Sequence, residues 1–180
     1  MERYEIIEIK NHLNNIGITG CDETSKGELA FSGASIPFDQ IQVNSKFFYQ
    51  DIPFKIFKTS QGDNIRLEAQ KIKIKKSLLS VHFLGVSSRG DFQENIYFYN
   101  KNNKVKKDLS FTDFRTQKAF FDDLPAIKTS YIHLKSGKFL YSSAIVWYNY
   151  ITFGSPFYCD YIQLPDNINM HIFAITICSE

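Results

Sequence analysis

The feature that most constrains the fold of this chain is a regular alternation of apolar and polar side chains that begins after Gly62. The alternation is interrupted between Ala69 and Ile72 and then continues as far as Lys75. The apolar members of this pattern are Ile65, Leu67, Ala69, Ile72 and Ile74. Because successive side chains of a β-strand point to opposite faces, a period of two indicates strands with one buried and one hydrated face. The segment therefore predicts antiparallel β-structure.

Other segments with the composition of strands follow one another along the chain. The predicted strands and extended segments cover residues 4–10, 36–41, 47–57, 65–74, 78–86, 95–99, 105–111, 127–134, 144–152, 158–164 and 170–178. About nine to eleven short strands of this kind predict an all-β fold, namely an antiparallel, jelly-roll-like β-sandwich. A closed up-and-down barrel is the alternative.

The segments between the predicted strands are rich in residues that favour reversals. Turns are predicted at Asn102-Asn103, Gly154-Ser155-Pro156 and Pro165-Asp166-Asn167. A long surface loop is expected over residues 21–35, and loops of that length are often functional. Residues 112–123 are expected to hold one short helical turn.

Length, charge and cysteine content narrow the class of protein. The 180 residues suit a single β-sandwich domain over residues 1–180, and the 17 Phe and 10 Tyr favour strands. A net charge of +2 argues against a nucleic-acid partner. The three cysteines lack the spacing of a disulfide framework or zinc site, so no metal or other cofactor is predicted. No signal sequence and no apolar run of about 18 residues is present, which predicts a cytoplasmic protein without a membrane partner.

A series of short motifs occurs in a fixed order over most of the chain. They are Asn14-Asn15-Ile16-Gly17-Ile18-Thr19, residues 31–37, Ile52-Pro53-Phe54, Asp63-Asn64-Ile65, His82-Phe83-Leu84-Gly85, Thr112-Asp113-Phe114, Ile162-Gln163-Leu164-Pro165 and residues 170–176. In this order they resemble the jelly-roll-like β-sandwich accessory modules of bacterial glycoside hydrolases, of the type associated with alpha-mannosidases.

The resemblance implies a non-catalytic module, here expected as a stand-alone chain, with a preference for sugar-like ligands. Two positions depart from the pattern of these modules. Ile16 stands where an Asp is common, which weakens a cation site in the opening motif. Ala69 stands where a Gly precedes Gln70.

Five residues are candidates for ligand binding because aromatic faces and polar side chains together recognise hydroxylated or charged small molecules. Trp147 and Tyr148 belong to the densest aromatic group. Arg89 lies in the polar loop 87–91, where it suits an anionic or hydroxylated ligand. The remaining candidates are Arg115, which shares strand parity with Asp113, and Tyr131, which shares it with His133.

Four residues are candidates for acid–base catalysis, which needs an ionisable group with a partner in a dry cleft. They are His82, His133, Asp91 and Asp113. The pairings considered are His82 with Asp91 and His133 with Tyr131. The chain contains no recognised nucleophile, phosphate-loop or metalloprotease motif.

The residues leave two main functions open. The first is a non-catalytic binding module that presents a cleft to a sugar-like or other small ligand. The second is a small cytosolic enzyme of a specialised biosynthetic pathway, such as a hydrolase, isomerase or cyclase that uses a His/Asp pocket. The predicted partner is a small molecule or glycan in either case, and the sequence does not indicate an oligomeric state.

Overall fold

The computed structural model of the protein describes residues 3–101 and 103–180, and within them it has fourteen strands and three short 3₁₀-helices. The strands are β1 (Arg3–Ile6), β2 (Ile18–Thr19), β3 (Ile36–Pro37), β4 (Phe47–Tyr49), β5 (Ile52–Phe54), β6 (Ile65–Glu68), β7 (Lys71–Ser87), β8 (Phe92–Tyr99), β9 (Lys104–Phe111), β10 (Leu124–Lys128), β11 (Ile132–Leu134), β12 (Gly137–Phe139), β13 (Ile145–Gln163) and β14 (Asp166–Ser179). The 3₁₀-helices are Lys10–His12, Cys21–Lys26 and Phe38–Gln40. All strand pairs are antiparallel among the described residues except β2–β3 and one isolated bridge. The predicted all-β class is confirmed.

An eight-stranded sheet organises the molecule. Its main order is β1-β14-β7-β13-β8-β9, with β6 paired to β14 and β10 paired to β13. The long strands β7, β13 and β14 lie at its centre, where His82 stands between Tyr150 on one side and Thr176 on the other. This register sets which side chains face each covering layer.

The β8–β9 hairpin covers one face of the central sheet. Asn149 of β13 donates a hydrogen bond to the carbonyl oxygen of Ser110 on β9 at 2.8 Å. A methyl group added at Gly85 would lie 2.4 Å from the Phe111 ring, so the hairpin packs directly on the sheet backbone at this point. Phe98 of β8 and Phe153 of β13 add to this contact. Their rings pack edge to face, with 5.0 Å between the ring centroids.

The N-terminal segments cover the opposite face. Thr176 of β14 donates a hydrogen bond to the Pro53 carbonyl at 2.6 Å, and Phe54 packs against Tyr148 with 6.2 Å between ring centroids. The loop that precedes β6 reaches the same face through Asn64, which bonds to His171. Asn64 and His171 therefore lie between the central sheet and the segments that cover this face.

The alternating segment folds as its periodicity predicts, with one break. Ile65, Leu67 and Ile72 are buried, but the segment divides into β6 and β7 at Ala69, whose φ is +57°. The Ala69 N–H bonds instead to the Pro165 carbonyl at 3.0 Å. Glycine adopts a left-handed backbone conformation more readily than other residues do. This conformation at Ala69 explains why Gly is common at the corresponding position of the modules that the chain resembles.

Two predicted pairs of strands are single long strands in the structure. β7 includes predicted strand 78–86 and the end of 65–74, and β13 spans both 144–152 and 158–164. The predicted turn at Gly154-Ser155-Pro156 is therefore wrong. The chain accommodates these residues as an irregularity of pairing between Thr152 and Phe157, because a bulge inserts residues without ending a strand.

Other expectations for the connections have mixed outcomes. The predicted turn at Pro165-Asp166-Asn167 is misplaced, since Leu164 and Pro165 join β13 to β14 and Asp166 and Asn167 already belong to β14. The hairpin between β8 and β9 is confirmed by its pairing, although Asn102 itself lies outside the described residues. Residues 112–123 form no helix but contain one hydrogen-bonded turn, in which the Thr116 N–H donates to the Asp113 carbonyl at 3.1 Å. Asp123 accepts hydrogen bonds from the backbone N–H and the hydroxyl of Thr112. The loop 21–35 carries a 3₁₀-helix and buries Leu29 and Ala34, so it is part of the packed structure.

Within residues 3–101 and 103–180, no helix has the length and apolarity needed to cross a membrane. The same residues include no group of three or more His, Cys, Asp or Glu side chains placed to hold a metal ion. Cys21 is exposed and Cys159 and Cys178 are buried, and burial raises the thiol pKa of Cys159 to about 12.

Candidate functional site

A pocket of about 260 Å³ opens between the loop that follows Lys26 and one end of the central sheet. The loop residues that line it are Gly27, Glu28, Leu29, Ala30, Phe31 and Gly33. The residues that line it from the sheet, its turns and the β11–β12 hairpin are Arg66, Ser88, Arg89, Ile168, Asn169, His171 and Lys135. Drug-sized pockets span about 300–1,000 Å³, so this pocket suits a small ligand.

The pocket carries an excess of positive charge. Arg66, Arg89 and Lys135 line it, whereas Glu28 is its one carboxylate. Arg66 binds Glu68 at 2.8 Å, but neither Arg89 nor Lys135 has an ion-pair partner within the described part of the chain. Guanidinium and ammonium groups without a protein partner attract anions, and arginine binds carboxylate or phosphate with two donors at once.

The turn that carries Arg89 is held in place by the two aspartates predicted as catalytic candidates. Asp113 accepts a hydrogen bond from the Gly90 N–H at 3.0 Å, and its own N–H donates to Asp91 at 2.8 Å. Ser87 donates from its hydroxyl to the Gly90 carbonyl at 2.6 Å. The backbone of Arg89 has a φ of +70°, which these bonds sustain. Asp91 and Asp113 thus hold the turn that carries Arg89.

An aromatic side chain forms the outer edge of the pocket. Phe31 is 91% exposed, although phenylalanine is usually buried. Its ring centroid lies 5.6 Å from the guanidinium carbon of Arg89, in the range of a cation–π contact. The pocket entrance therefore combines a flat apolar face with a cation.

His171 forms the most deeply buried polar part of the pocket lining. It is 1% exposed, and its Nδ1 lies 2.9 Å from Oδ1 of Asn64. It stands directly opposite Arg66 in the β14–β6 pairing. Burial lowers the pKa of His171 to about 3, and the nearby positive charge of Arg66 contributes in the same direction.

A network of buried polar residues holds Asn64 behind His171. The carboxylate of Asp63 accepts hydrogen bonds from the backbone N–H groups of Gly17 and Ile18 at 2.8 and 3.0 Å, and from the Asn64 amide at 2.9 Å. Burial raises the pKa of Asp63, while these donors and Lys58 oppose the rise. Four of the residues are members of the Asn14 to Thr19 and Asp63 to Ile65 motifs.

Close packing in this network explains a glycine. A Cβ atom at Gly17 would lie 2.6 Å from Nδ2 of Asn64 and 3.1 Å from the Phe173 ring. The opening motif, the Asp63-Asn64 motif and the closing motif with His171 therefore meet at one place in the fold.

His82 occupies a different environment, inside an aromatic cluster. Its Nε2 lies 2.7 Å from the Ser80 hydroxyl, and its Nδ1 lies 2.8 Å from the Tyr148 hydroxyl. The rings of Tyr148 and Tyr150 stack beside it, each with centroids 6.0 Å away. Burial lowers the pKa of His82 to about 4 and raises that of Tyr148. The considered pairing of His82 with Asp91 is not formed, since both ring nitrogens have other partners.

His133 and Tyr131 lie together, as their shared parity predicts, but they do not bond to each other. Their ring centroids are 5.7 Å apart. His133 Nδ1 contacts the Thr19 hydroxyl at 2.9 Å, and the Tyr131 hydroxyl donates to Asp39 at 2.8 Å. Burial lowers the pKa of His133 against the opposing charge of Asp39.

The remaining ligand-binding candidates lie away from the pocket lining. Trp147 is 1% exposed, and its indole N–H donates to the Asp113 carbonyl at 3.3 Å. Arg115 is exposed and pairs with Asp113 at 3.5 Å. Of the five residues predicted to bind a ligand, Arg89 is the one that lines this pocket. Roles for Trp147, Tyr148, Arg115 and Tyr131 in binding stay predictions.

A wider groove of about 590 Å³ lies on the other side of the sheet, near Asn149 and Tyr150. It is larger than the cationic pocket, but Asp122 is its one charged lining residue. The Asn149 amide already donates to Ser110. The lining of the groove includes no lysine or arginine, so it offers no positive charge to an anionic ligand.

The sequence analysis did not select Arg66, Lys135 or His171 as functional residues. Arg66 was assigned to the hydrated face of a strand, which is correct but does not reveal the loop that folds over it. A signal for His171 was present, because this histidine stands beside the apolar residues of the closing motif. Its place in the lining of the pocket distinguishes it from His12, His82 and His133, and this depends on the tertiary structure.

Comparison with known proteins identifies the family to which this architecture corresponds. No curated protein matches the chain. The model of one protein family, described as the AziU2-like beta-sandwich domain, matches residues 4–180. The match covers β1 from its second residue, all later strands and every residue of the cationic pocket. The chain therefore belongs to the AziU2-like beta-sandwich domain family.

Proposed function

We propose that this protein is a binding domain for a small, negatively charged ligand, which it holds in the cationic pocket. The observation that carries the proposal is the convergence of Arg66, Arg89 and Lys135, from three separate segments, around one concave site. Because Arg89 and Lys135 have no ion pair within the described residues, an anion would gain their charge without displacing a protein carboxylate.

The aromatic edge of the pocket supports a ligand that also has a flat or apolar surface. Phe31 offers its exposed face beside Arg89. A sugar acid or a phosphorylated sugar combines such a surface with a negative charge, and either would agree with the preference implied by the resemblance to glycosidase accessory modules. A neutral glycan would leave the positive charges of the pocket unmatched.

A catalytic function at the same pocket is the second candidate. It is favoured by the chain of hydrogen bonds from Asp63 through Asn64 to His171, which resembles the orientation of a catalytic base by an acidic partner. Binding is the stronger proposal, since a base works best with a pKa near the operating pH and that of His171 is about 3. A cytoplasmic location stays a prediction from the sequence.

Titration calorimetry with a small panel of ligands tests the proposal. The panel contains glucuronate, glucose 6-phosphate and phenylacetate as anions, with glucose and mannose as neutral sugars. We expect at least one anion to bind and the neutral sugars to give no heat. Replacement of Arg89 by Ala should weaken anion binding roughly ten- to hundredfold, as expected for the loss of a charged hydrogen bond.

The matched control is Arg3→Ala, which removes the same charge from exposed strand β1 outside the pocket. This variant should bind as the wild type does. Equal affinity of the Arg89→Ala variant and the wild type would contradict the proposed site. Failure of every anion to bind would contradict the proposed function itself.

A further inference from the structure

The hydrogen bonds around Asn64 determine which nitrogen of His171 carries a proton. The Asn64 amide nitrogen lies 2.9 Å from a carboxylate oxygen of Asp63 and 3.2 Å from the carbonyl oxygen of Asn15. Both partners are acceptors, so this end of the side chain must be the NH₂ group. The amide oxygen consequently faces His171, and Nδ1 of the ring must be the donor.

A neutral imidazole that is protonated at Nδ1 has a lone pair at Nε2. Burial and the charge of Arg66 keep the ring neutral at physiological pH. Nε2 of His171 has no hydrogen-bond partner within residues 3–101 and 103–180. It is not among the fully buried side-chain atoms without a partner, whereas Nε2 of His133 is. His171 is one of the residues that line the cationic pocket, and Nε2 is the nitrogen of its ring that remains available as an acceptor, whereas the charged groups of the lining are mainly donors.

We propose that the pocket recognises an organic acid that also carries a hydroxyl or amine hydrogen, and that Nε2 of His171 accepts this hydrogen. This inference rests on the proposed function and adds to it the class of ligand. Arg89 and Lys135 would bind the acidic group, while His171, opposite Arg66 on the paired strand, would bind the donor.

The role assigned to His171 is recognition, because its geometry is fixed from behind. Asn64 is itself held by Asp63 and by the Asn15 carbonyl, so the ring cannot exchange donor and acceptor without breaking three buried hydrogen bonds. A site built to accept a hydrogen bond discriminates against ligands that lack the donor, since its buried acceptor would lose contact with water and gain nothing.

Three related acids test this inference. Mandelate has a carboxylate, an aromatic ring and a hydroxyl group, phenylacetate lacks the hydroxyl, and O-methylmandelate keeps the oxygen but not its hydrogen. Calorimetry or competition against inorganic phosphate should show mandelate binding roughly tenfold more tightly than the other two, which is the gain expected for one well-formed hydrogen bond.

Replacement of His171 by Phe should abolish this preference and leave the affinity for phenylacetate within about twofold of the wild-type value. The matched control, His12→Phe, changes a histidine of the first 3₁₀-helix outside the pocket and should retain the preference. Equal affinities for mandelate and phenylacetate in the wild type, both dependent on Arg89, would overturn the inference but keep the proposed function. Absence of binding by all three acids and by phosphate, with binding of glucuronate or glucose 6-phosphate, would also overturn the inference and keep the proposed function. Absence of binding by every one of these anions would overturn both.

A measurement on the wild-type protein keeps the test valid if the His171→Phe variant fails to fold. Nitrogen-15 NMR of the histidine rings should show His171 protonated at Nδ1 and unprotonated at Nε2. Mandelate should shift the Nε2 resonance of His171 more strongly than phenylacetate does. A ring protonated at Nε2 in the free protein would contradict the assigned role.

Discussion

His82 and His171 are both buried, neutral imidazoles on the central sheet, and yet they have different surroundings. His82 bonds to Ser80 through Nε2 and to Tyr148 through Nδ1, so both nitrogens are satisfied by the protein. His171 bonds to Asn64 through Nδ1, and its Nε2 has no hydrogen-bond partner among the described residues. The first arrangement satisfies both ring nitrogens, whereas the second leaves one unpaired, and this is the nitrogen that we propose to contact a ligand.

The comparison shows that burial and a lowered pKa do not by themselves identify a functional histidine. Burial lowers the pKa of both residues, to about 4 for His82 and about 3 for His171. The feature that separates them is the number of hydrogen-bonding positions left to a ligand. Substitutions around either histidine, and changes of pH, therefore test the difference between them.

The largest effect is expected from truncation of the aromatic cluster around His82. Tyr148→Ala removes a buried ring that packs on Phe54 and Tyr49, and it leaves Nδ1 of His82 without its partner. Urea unfolding should show a loss of about 3–5 kcal/mol. Tyr150→Ala is the control, since Tyr150 is 53% exposed and should cost much less. A loss below 1 kcal/mol for Tyr148→Ala would mean that the cluster is not a structural core.

Acidification should destabilise the fold through both histidines. Each has a folded-state pKa below its unfolded value of about 6.5, so the unfolded chain binds a proton that the folded chain does not, and stability falls as the pH falls below 6.5. The loss continues to about pH 4 for His82 and about pH 3 for His171.

Each histidine contributes a slope of about 1.4 kcal/mol per pH unit in this window. Asp63 opposes the loss at the acidic end, because burial raises its pKa and its protonation then favours the folded state. Urea unfolding at pH 7 and pH 5 measures the slope. His171→Phe should reduce it by the contribution of one histidine, and an unchanged slope would contradict the assigned neutral state of His171.

A smaller effect is expected from displacement of Asn64 behind His171. Gly17→Ala places a methyl group 2.6 Å from the Asn64 amide nitrogen, so the amide must move away from Asp63. Overpacking of this kind costs roughly 1–3 kcal/mol, and loss of the fixed ring orientation should weaken the preference for mandelate. Gly20→Ala is the control because the added methyl group has no neighbour within 4 Å among the described residues. Equal preference in both variants would show that Asn64 does not orient His171.

The candidate site was only partly predictable from the sequence. Arg89 was selected for its polar loop after a strand, and the structure places it in the pocket. Asp91 and Asp113 were selected as carboxylates that could partner a histidine, but a strand pattern does not show that they bond to the turn of Arg89 instead. Trp147 and Tyr148 were selected for their aromatic rings, and the covering layers bury both.

The local pattern of side chains was sufficient to specify the class of fold. Alternation at Ile65, Leu67 and Ala69 favours strands with one dry face, because residues two positions apart share a face of a strand but lie on opposite sides of a helix. Tertiary structure alone decided that Arg66, Arg89, Lys135 and His171 share one pocket, because they come from elements distant in sequence. Hydrogen bonds and packing between layers depend on three-dimensional proximity, which a one-dimensional period of two does not encode.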